Sequence, residues 1–539
     1  MAIGINLGRD EDSPPSFEEY DGSILSHKYL MDSYEFGRSS PAPEKTIRTP
    51  SYMATKKAAP AKTTKKAASD EVLEEIEKAT KTPKFDVRAF YRGTIDDVSR
   101  RQGVEADPME DIQPLSTGLL MLDLLYGGGI RPAMYTHAGD EQTAKTTLAL
   151  MVMVNAVNKN VPLIAFWDYE GSTKNSKPYL ASILKSMGAK VGIRDVFGKK
   201  DKETGKWVVH PVVQYYPETV GEKFFDWMAS IQKQYPDKRM VAGKWWLIYE
   251  DNKANKAMIG DAHDPKMAKK YGKGLWVEAP DGNLQGVIIV DSYPAMNPDS
   301  NDDEEADNSL GVHARFFAKH LPRIKGRMGK KMISLIGMNQ LSDIPMAMYG
   351  PKQQESCGKK LRYYSDVRIW NTKRGSGMPF NAVFDKEEGV EIEKSVTGKG
   401  NDFYRYIQTK TVKNKLWTPG RKAWFRIWVS DAEGNGCGLD PFFDTIMYLK
   451  ETGQLAGNDR KRLTLKLHGM DPIQKPTWME LKTWVLGTKE QKIEVCKKFK
   501  IAKPFCLRAW CFKQSESGKG ETLYVEQKGE KKAAEDSED

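Results

Sequence analysis

The stretch AGDEQTAKTTLALMVM, residues 138–153, decides how the rest of the chain is read. It is preceded by GGGIRPAMYTHAG, which ends in a strand-like run, and followed by KTTLALMVMVNAV, whose apolar positions suit a buried helix. A short polar loop between a strand and a helix is the context of a phosphate-binding loop. In such a loop the backbone N–H groups of Gly139, Asp140, Glu141, Gln142, Thr143 and Ala144 cradle phosphates at a helix N-terminus. Lys145 reaches the β and γ phosphates, the Thr146 hydroxyl ligates Mg²⁺, and Thr147 closes the loop. The usual glycine before the lysine is replaced by Ala144. A methyl group is expected there only if φ stays negative. Taken alone, the stretch reads equally well as an ordinary strand–turn–helix with a surface lysine.

Two further segments weigh against that plainer reading. VIIVDSYPAM, residues 287–296, is an apolar run ending in Asp291, placed to hold the water shell of the Mg²⁺ bound by Thr146. The alternative is a strand-ending Asp that caps the next turn. IAFWDYEGS, residues 164–172, offers Asp168 and Glu170 at another strand end, where a carboxylate orients and activates an attacking water.

Composition sets the outer bounds. With 539 residues the chain has ample length for a sizeable core. Its 83 Lys and Arg against 73 acids give a net charge of +10, compatible with a nucleic-acid partner. No apolar run reaches transmembrane length, and MAIGINLGRDEDSPP is not a signal peptide. The five cysteines (Cys357, Cys437, Cys496, Cys506, Cys511) form no CxxC pair, which suits a reducing cytoplasm, or a replication compartment if the gene is viral.

Texture divides the chain. Residues 1–69 are expected to be a disordered extension ending in a basic linker whose 51–69 part carries five lysines and no acid. Residues 70–109 are expected to be a helical, oligomerising segment. From 110 to 450 short apolar runs (PLIAFWD, VIIVD, MISLIGMNQ, DVRIWNT) alternate with helical patterns. That pattern predicts an α/β fold with a mainly parallel twisted sheet flanked by helices. FYRYIQTKTV and KAWFRIWVS alternate and read as antiparallel strands. A small separate C-terminal domain is expected over 451–525, with a basic RKRLTLK at 460–466, and a charged tail ending in acids over 526–539.

The ordered series of motifs resembles the RecA family of homologous-recombination ATPases. LSTGLLMLDLLYGGGI (115–130) is similar to its leading segment and GDEQTAKTT (139–147) to its phosphate loop. WDYE (167–170) resembles the strand bearing the catalytic glutamate, which implies Glu170, and VIIVDS (287–292) resembles the Mg²⁺-linked strand. IGMNQ (336–340) is similar to the strand whose glutamine senses the γ-phosphate, which implies Gln340. MYGPKQQESCGKKLRYYSDVRIW (348–370) resembles the second DNA-binding loop and the strand after it. TVKNK (411–415) resembles the signature whose lysines, here Lys413 and Lys415, reach the ATP of a neighbouring subunit.

The resemblance covers about 110–450. It implies a RecA-like P-loop ATPase core, ATP with Mg²⁺, single- and double-stranded DNA as partners, and a homo-oligomeric helical filament with no membrane association. Within the loop, Met348 and Tyr349 are expected beside unstacked bases, and Lys352, Lys359, Lys360 and Arg362 at phosphates. Tyr179 is a candidate for stacking on adenine. The implied activity is strand exchange; alternatives are a hexameric helicase on the same fold and a non-hydrolysing DNA-binding filament.

Departures from the family pattern mark a divergent member, such as one carried by a large bacteriophage. Ala144 stands for a glycine, Asp140 for a proline, and Cys357 for the first of two loop glycines. An insertion of several dozen residues falls within 193–286, and DSNDDEEAD (299–307) puts six acids where the first DNA-binding loop is expected.

Overall fold

In the computed structural model the described residues are 112–173, 176–299, 311–344, 353–374, 404–428, 438–458 and 461–517, all within one compact unit. The expected N-terminal extension, the 70–109 segment and the acidic tail lie outside them.

Among the described residues the first elements are helix α1 (Leu120–Tyr126), strand β1 (Met134–Gly139), helix α2 (Lys145–Asn158), β2 (Leu163–Asp168) and α3 (Lys177–Ser186). A short helix α4 (Ile193–Phe197) leads to a small hairpin, β3 (Lys199–Lys200) and β4 (Trp207–Val209), then to β5 (Gln214–Pro217) and helix α5 (Gly221–Gln234). Next come β6 (Asp237–Val241), β7 (Lys244–Tyr249), α6 (Lys253–Ile259), α7 (Pro265–Tyr271) and β8 (Leu275–Glu278). The chain then returns through β9 (Gly286–Asp291), α8 (Val312–Lys325), β10 (Ile333–Asp343), β11 (Gln353–Glu355), α9 (Gly358–Tyr364) and β12 (Val367–Arg374). It continues as β13 (Tyr404–Asn414), β14 (Lys422–Trp428), β15 (Gly438–Leu439) and α10 (Pro441–Glu451). Last are β16 (Leu455–Asn458), β17 (Lys461–Leu465), β18 (Ile473–Gln474), α11 (Trp478–Leu486), α12 (Lys489–Lys498) and α13 (Leu507–Glu516).

One large sheet organises these elements, in the order β15-β14-β13-β12-β1-β10-β9-β2-β5. From β12 to β5 every neighbouring pair is parallel, while β12, β13, β14 and β15 are antiparallel. Both sequence expectations for these strands hold. The central parallel strands β1, β2, β9 and most of β10 are buried on both faces, which explains their unbroken apolar runs. Along β2, Ile164 and Phe166 enter one hydrophobic core while Leu163, Ala165 and Trp167 enter the other; β9 and β10 divide their side chains in the same way. Helices α1, α2 and α10 cover the first face, and α5 and α8 the second.

The structure bears on two expectations about domain organisation. The insertion expected within 193–286 falls in two stretches. Within 193–286, β5 joins the main sheet beside β2 and α5 supplies Phe224, Phe225 and Met228 to the second core. The additional material is the β3–β4 hairpin and a separate three-stranded antiparallel sheet, β6-β7-β8. The C-terminal segment, over its described residues, does not stand apart. Leu465, Trp484, Cys496 and Cys511 share one core with Leu120 and Leu124. Arg508 locks this packing by donating to Asp444 Oδ2 at 2.8 Å and to the Gly118 carbonyl at 3.2 Å.

Candidate nucleotide site and its neighbouring loop

Parallel strands place their carboxyl ends on one edge, and ligand-binding loops gather there in open α/β sheets. Gly139, Asp168, Asp291 and Gln340 all lie at that edge: Gly139 is in register with Gln340, and Asp168 with Asp291. Gly139 must lack a side chain, because a Cβ would sit 2.5 Å from Thr143 Oγ1 and 2.6 Å from the Asn371 carbonyl.

The turn from β1 into α2 departs from expectation at one point. Ala144 adopts φ +59°, ψ 26°, and Gln142 also has φ +59°. The condition that φ stay negative at Ala144 is therefore not met; the left-handed conformation is imposed although no glycine is present. For an L-residue this costs about 1–2 kcal/mol. Its return is geometric: left-handed residues between right-handed ones turn successive N–H groups to one side and form an anion-binding concavity. The Lys145 ammonium folds over that concavity, donating to the carbonyls of Gly139 and Asp140 at 2.7 Å each. Burial pulls its pKa down, against the opposing pull of Asp291, Glu170, Asp140 and Glu141.

Thr146 Oγ1 donates to Asp291 Oδ2 at 2.6 Å, which brings together the two residues expected at Mg²⁺. Burial, together with Glu170 and Asp168, pushes the Asp291 carboxyl up to about 7, although the Thr146 hydrogen bond and Lys145 oppose it. A buried carboxylate with two acidic neighbours and one lysine is an environment that a bound cation would relieve, so these residues fit a divalent ion. Glu170 is solvent-exposed and accepts from Ser292 Oγ at 2.6 Å, leaving its second oxygen for a water. Asp168, the other acid in that segment, is fully engaged. It accepts from the Gly171 N–H at 2.8 Å, the Thr173 N–H at 3.0 Å and Tyr215 Oη at 2.8 Å, and so shapes the loop that carries Glu170. The Tyr179 hydroxyl is hydrogen-bonded to Thr147, which fixes the ring beside the first turn of α2.

Gln340 is exposed, but it does not end its strand. β10 runs on to Asp343 and pairs antiparallel with β11. Met348, Tyr349 and Lys352 lie outside the described residues. Lys359 and Lys360 are exposed on α9, and Arg362 is half-buried there.

Lys413 faces away from its own chain's phosphate loop. It pairs in register with Arg368, which is opposite Thr136, three residues below Gly139 on β1. Its ammonium caps the end of α9, donating to the carbonyls of Arg362 at 2.9 Å and Tyr363 at 2.7 Å. Burial, then Lys415 and Arg368, lowers its pKa to about 8. Lys415 lies 5.4 Å from the centre of the exposed Tyr363 ring. Neither lysine completes the nucleotide site of its own chain.

Several positioning residues escaped the sequence reading. Glu355, wholly buried, accepts a forked pair of bonds from Arg368 (Nε 3.0 Å, Nη2 2.7 Å) and one from Trp370 Nε1 at 2.6 Å. Gln353 reaches across to Asp140 Oδ1 at 3.4 Å, and Asn371 donates to the Thr143 carbonyl at 3.1 Å. The only sequence signal for Glu355 and Arg368 was an opposite-charge pair thirteen residues apart, which says nothing about contact.

With this geometry in view, comparisons with known proteins bear on it. The sequence model of the RecA N-terminal domain matches residues 281–432, which include Asp291, Gln340, Lys413 and Lys415 but not the phosphate loop. Protein RecA of Thermus aquaticus is 30% identical over 203 residues, covering 34% of this chain and 53% of that protein. Protein RecA of Aquifex aeolicus is 29% identical over 220 residues, covering 38% and 58%. The chain thus spans about half the length of the curated relatives it matches. The crystal structure of the RadB recombinase aligns with 60% of this chain and 98% of its own at 16% identity, with a TM-score of 0.32, too loose a likeness to add to the fold described above. Over these matched stretches, and in the order of its motifs, the chain is similar to RecA proteins.

Proposed function

We propose that this protein is a DNA-dependent ATPase that assembles as a helical filament on single-stranded DNA and promotes homologous pairing and strand exchange with a duplex, in recombination and repair. The observation that carries the reading is the register of β10 with β1. Gln340 lies beside Gly139 of the phosphate loop, and the same strand runs on to Asp343, after which the sequence carries Tyr349 and Lys352. One rigid strand thus touches the nucleotide end and leads into the DNA-facing loop, so binding at each favours binding at the other.

Each residue has a defined task in this reading. The N–H groups of 139–144 and Lys145 hold the phosphates of ATP, with Tyr179 beside the first helical turn. Thr146 and Asp291 hold Mg²⁺, which supplies charge neutralisation at the phosphates. Glu170, steadied by Ser292, orients the attacking water and takes its proton. Lys413 and Lys415, which do not serve their own chain's site, stabilise the γ-phosphate charge of a neighbour's ATP. Among the described residues no helix is long and apolar enough to cross a membrane, and the proposal places the protein with DNA in the cytoplasm.

ATP hydrolysis measured with and without single-stranded DNA tests the proposal. Wild type should be stimulated by DNA, and Lys145→Ala should be inactive; equal turnover in the two proteins would refute the phosphate-loop assignment. Lys413→Ala, inactive alone, should regain activity when mixed with Lys145→Ala, because some mixed interfaces then hold one intact site. Mixed filaments that form without recovering activity would exclude the action in trans. Rings rather than filaments by electron microscopy would favour a helicase.

A further inference from the structure

The three-stranded β6-β7-β8 sheet is fastened to the opposite end of the main sheet. The Lys238 N–H donates to the Lys330 carbonyl at 2.9 Å, Lys331 pairs with Asp237 at 2.7 Å and donates to the Tyr235 carbonyl at 2.6 Å, and Gln285 bridges to the carbonyls of Pro236 and Lys331 at 3.0 Å each. Between this sheet and the ends of α5 and α8 lies an open cleft of about 620 Å³. Its rim carries four exposed cations from three separate segments: Lys233 on α5, Lys273 before β8, and Arg327 and Lys330 after α8. None of the four has an ion pair or side-chain hydrogen bond among the described residues.

The acids of the cleft do not neutralise them. Asp237 is paired with Lys331 and Asp251 with Lys256, which leaves Glu250. Tyr235 and Tyr249 also line the cleft, and burial raises the pKa of both, so they remain neutral phenols with flat apolar faces.

Four unpaired cations spread around an open cleft, with aromatic rings in its wall, suit a ligand with several separated negative charges and planar units between them. Phosphates bind Lys and Arg in this way, and aromatic rings give bases a sequence-tolerant surface. We propose that this cleft is a second nucleic-acid site, which takes the phosphodiester backbone of a DNA strand or duplex. It is distinct from the DNA loop proposed after Gln340: β10 takes seven residue steps from Ile333 to Gln340, about 23 Å at the usual strand rise, between the cleft and the nucleotide edge. The insertion is then what creates the second site, since its β6–β8 sheet and Lys273 form one wall.

The test is made without nucleotide, so its outcome does not depend on the ATPase assignment. The full chain carrying Lys273→Glu and Arg327→Glu is titrated with a labelled duplex across a salt series, with melting temperature and ATP hydrolysis as controls for folding. Loss of two phosphate contacts should lower the salt slope by about two units and weaken binding at low salt at least tenfold. Duplex affinity and slope unchanged from wild type in the double variant would overturn the proposal. Two competition arms define the ligand. Free ATP that displaces the duplex from the Lys145→Ala protein would make the cleft a mononucleotide site and reject the polymer. Polyglutamate that displaces it as well as unlabelled DNA at equal ionic strength would make it a site for an acidic protein segment, and likewise reject it.

Discussion

Two turns open helices near the nucleotide edge, and each does so on a residue that is not glycine. Ala144 (φ +59°, ψ 26°) precedes α2, and Cys357 (φ +64°, ψ 13°) precedes α9. The backbone device is the same, but the support differs. Helix α2 has 14 residues and is buried from Thr147 to Val157, so the strain at Ala144 is held by a large packed surface. Helix α9 has seven residues, of which only Leu361 is buried. Its turn depends instead on specific contacts: Gly358 sits where a Cβ would come within 2.6 Å of Ala314, and Glu355 is clamped by Arg368 and Trp370. A strained turn can thus be held by bulk packing or by a few polar bonds, and the two should fail differently on mutation.

The largest effect should come from removing the polar support of the second turn. Arg368→Ala leaves the buried Glu355 carboxylate with Trp370 alone, and breaking a buried pair costs about 3–5 kcal/mol. Chemical denaturation measures the loss; a change under 1 kcal/mol would mean that packing, not the clamp, holds this turn. Glu170→Gln should come next. Turnover should fall by on the order of a hundredfold with ATP binding retained, as for loss of a general base. Weak ATP binding in that variant would make Glu170 part of the first turn's structure rather than its chemistry.

The smallest effects separate the two turns most directly. Ala144→Gly should raise stability by roughly 1 kcal/mol, because the left-handed residue no longer carries a methyl group. Cys357→Gly relieves the same backbone but removes a buried thiol side chain, so the two contributions nearly cancel and the melting temperature should hardly move. Equal gains from both substitutions would show that the Cys357 side chain contributes nothing to packing.

Some of this was fixed by local order along the chain. The apolar runs 287–291 and 332–340 can be satisfied only by burial on both faces, which dictates parallel central strands. Gly139-to-Thr147 between a strand and a helix, with acids ending two other strands, named Lys145, Thr146, Glu170 and Asp291 before their contacts were known. These features are legible because periodicity and strand-end position are properties of neighbouring residues. What pairs across the fold is not. Strand-end position alone did not separate Asp168 from Glu170, which only the family resemblance implied; the contacts that occupy Asp168, from Tyr215 and two loop N–H groups, belong to the tertiary fold. The insertion could be placed only somewhere within 193–286, because composition cannot tell that β5 joins the main sheet while β6 does not. The left-handed Ala144 contradicts its own propensity, and only a helix buried over eleven residues makes that conformation the lower in free energy. Lys273 and Arg327 are far apart along the chain, and only the tertiary fold, by docking one sheet against the end of another, brings them around a single cleft.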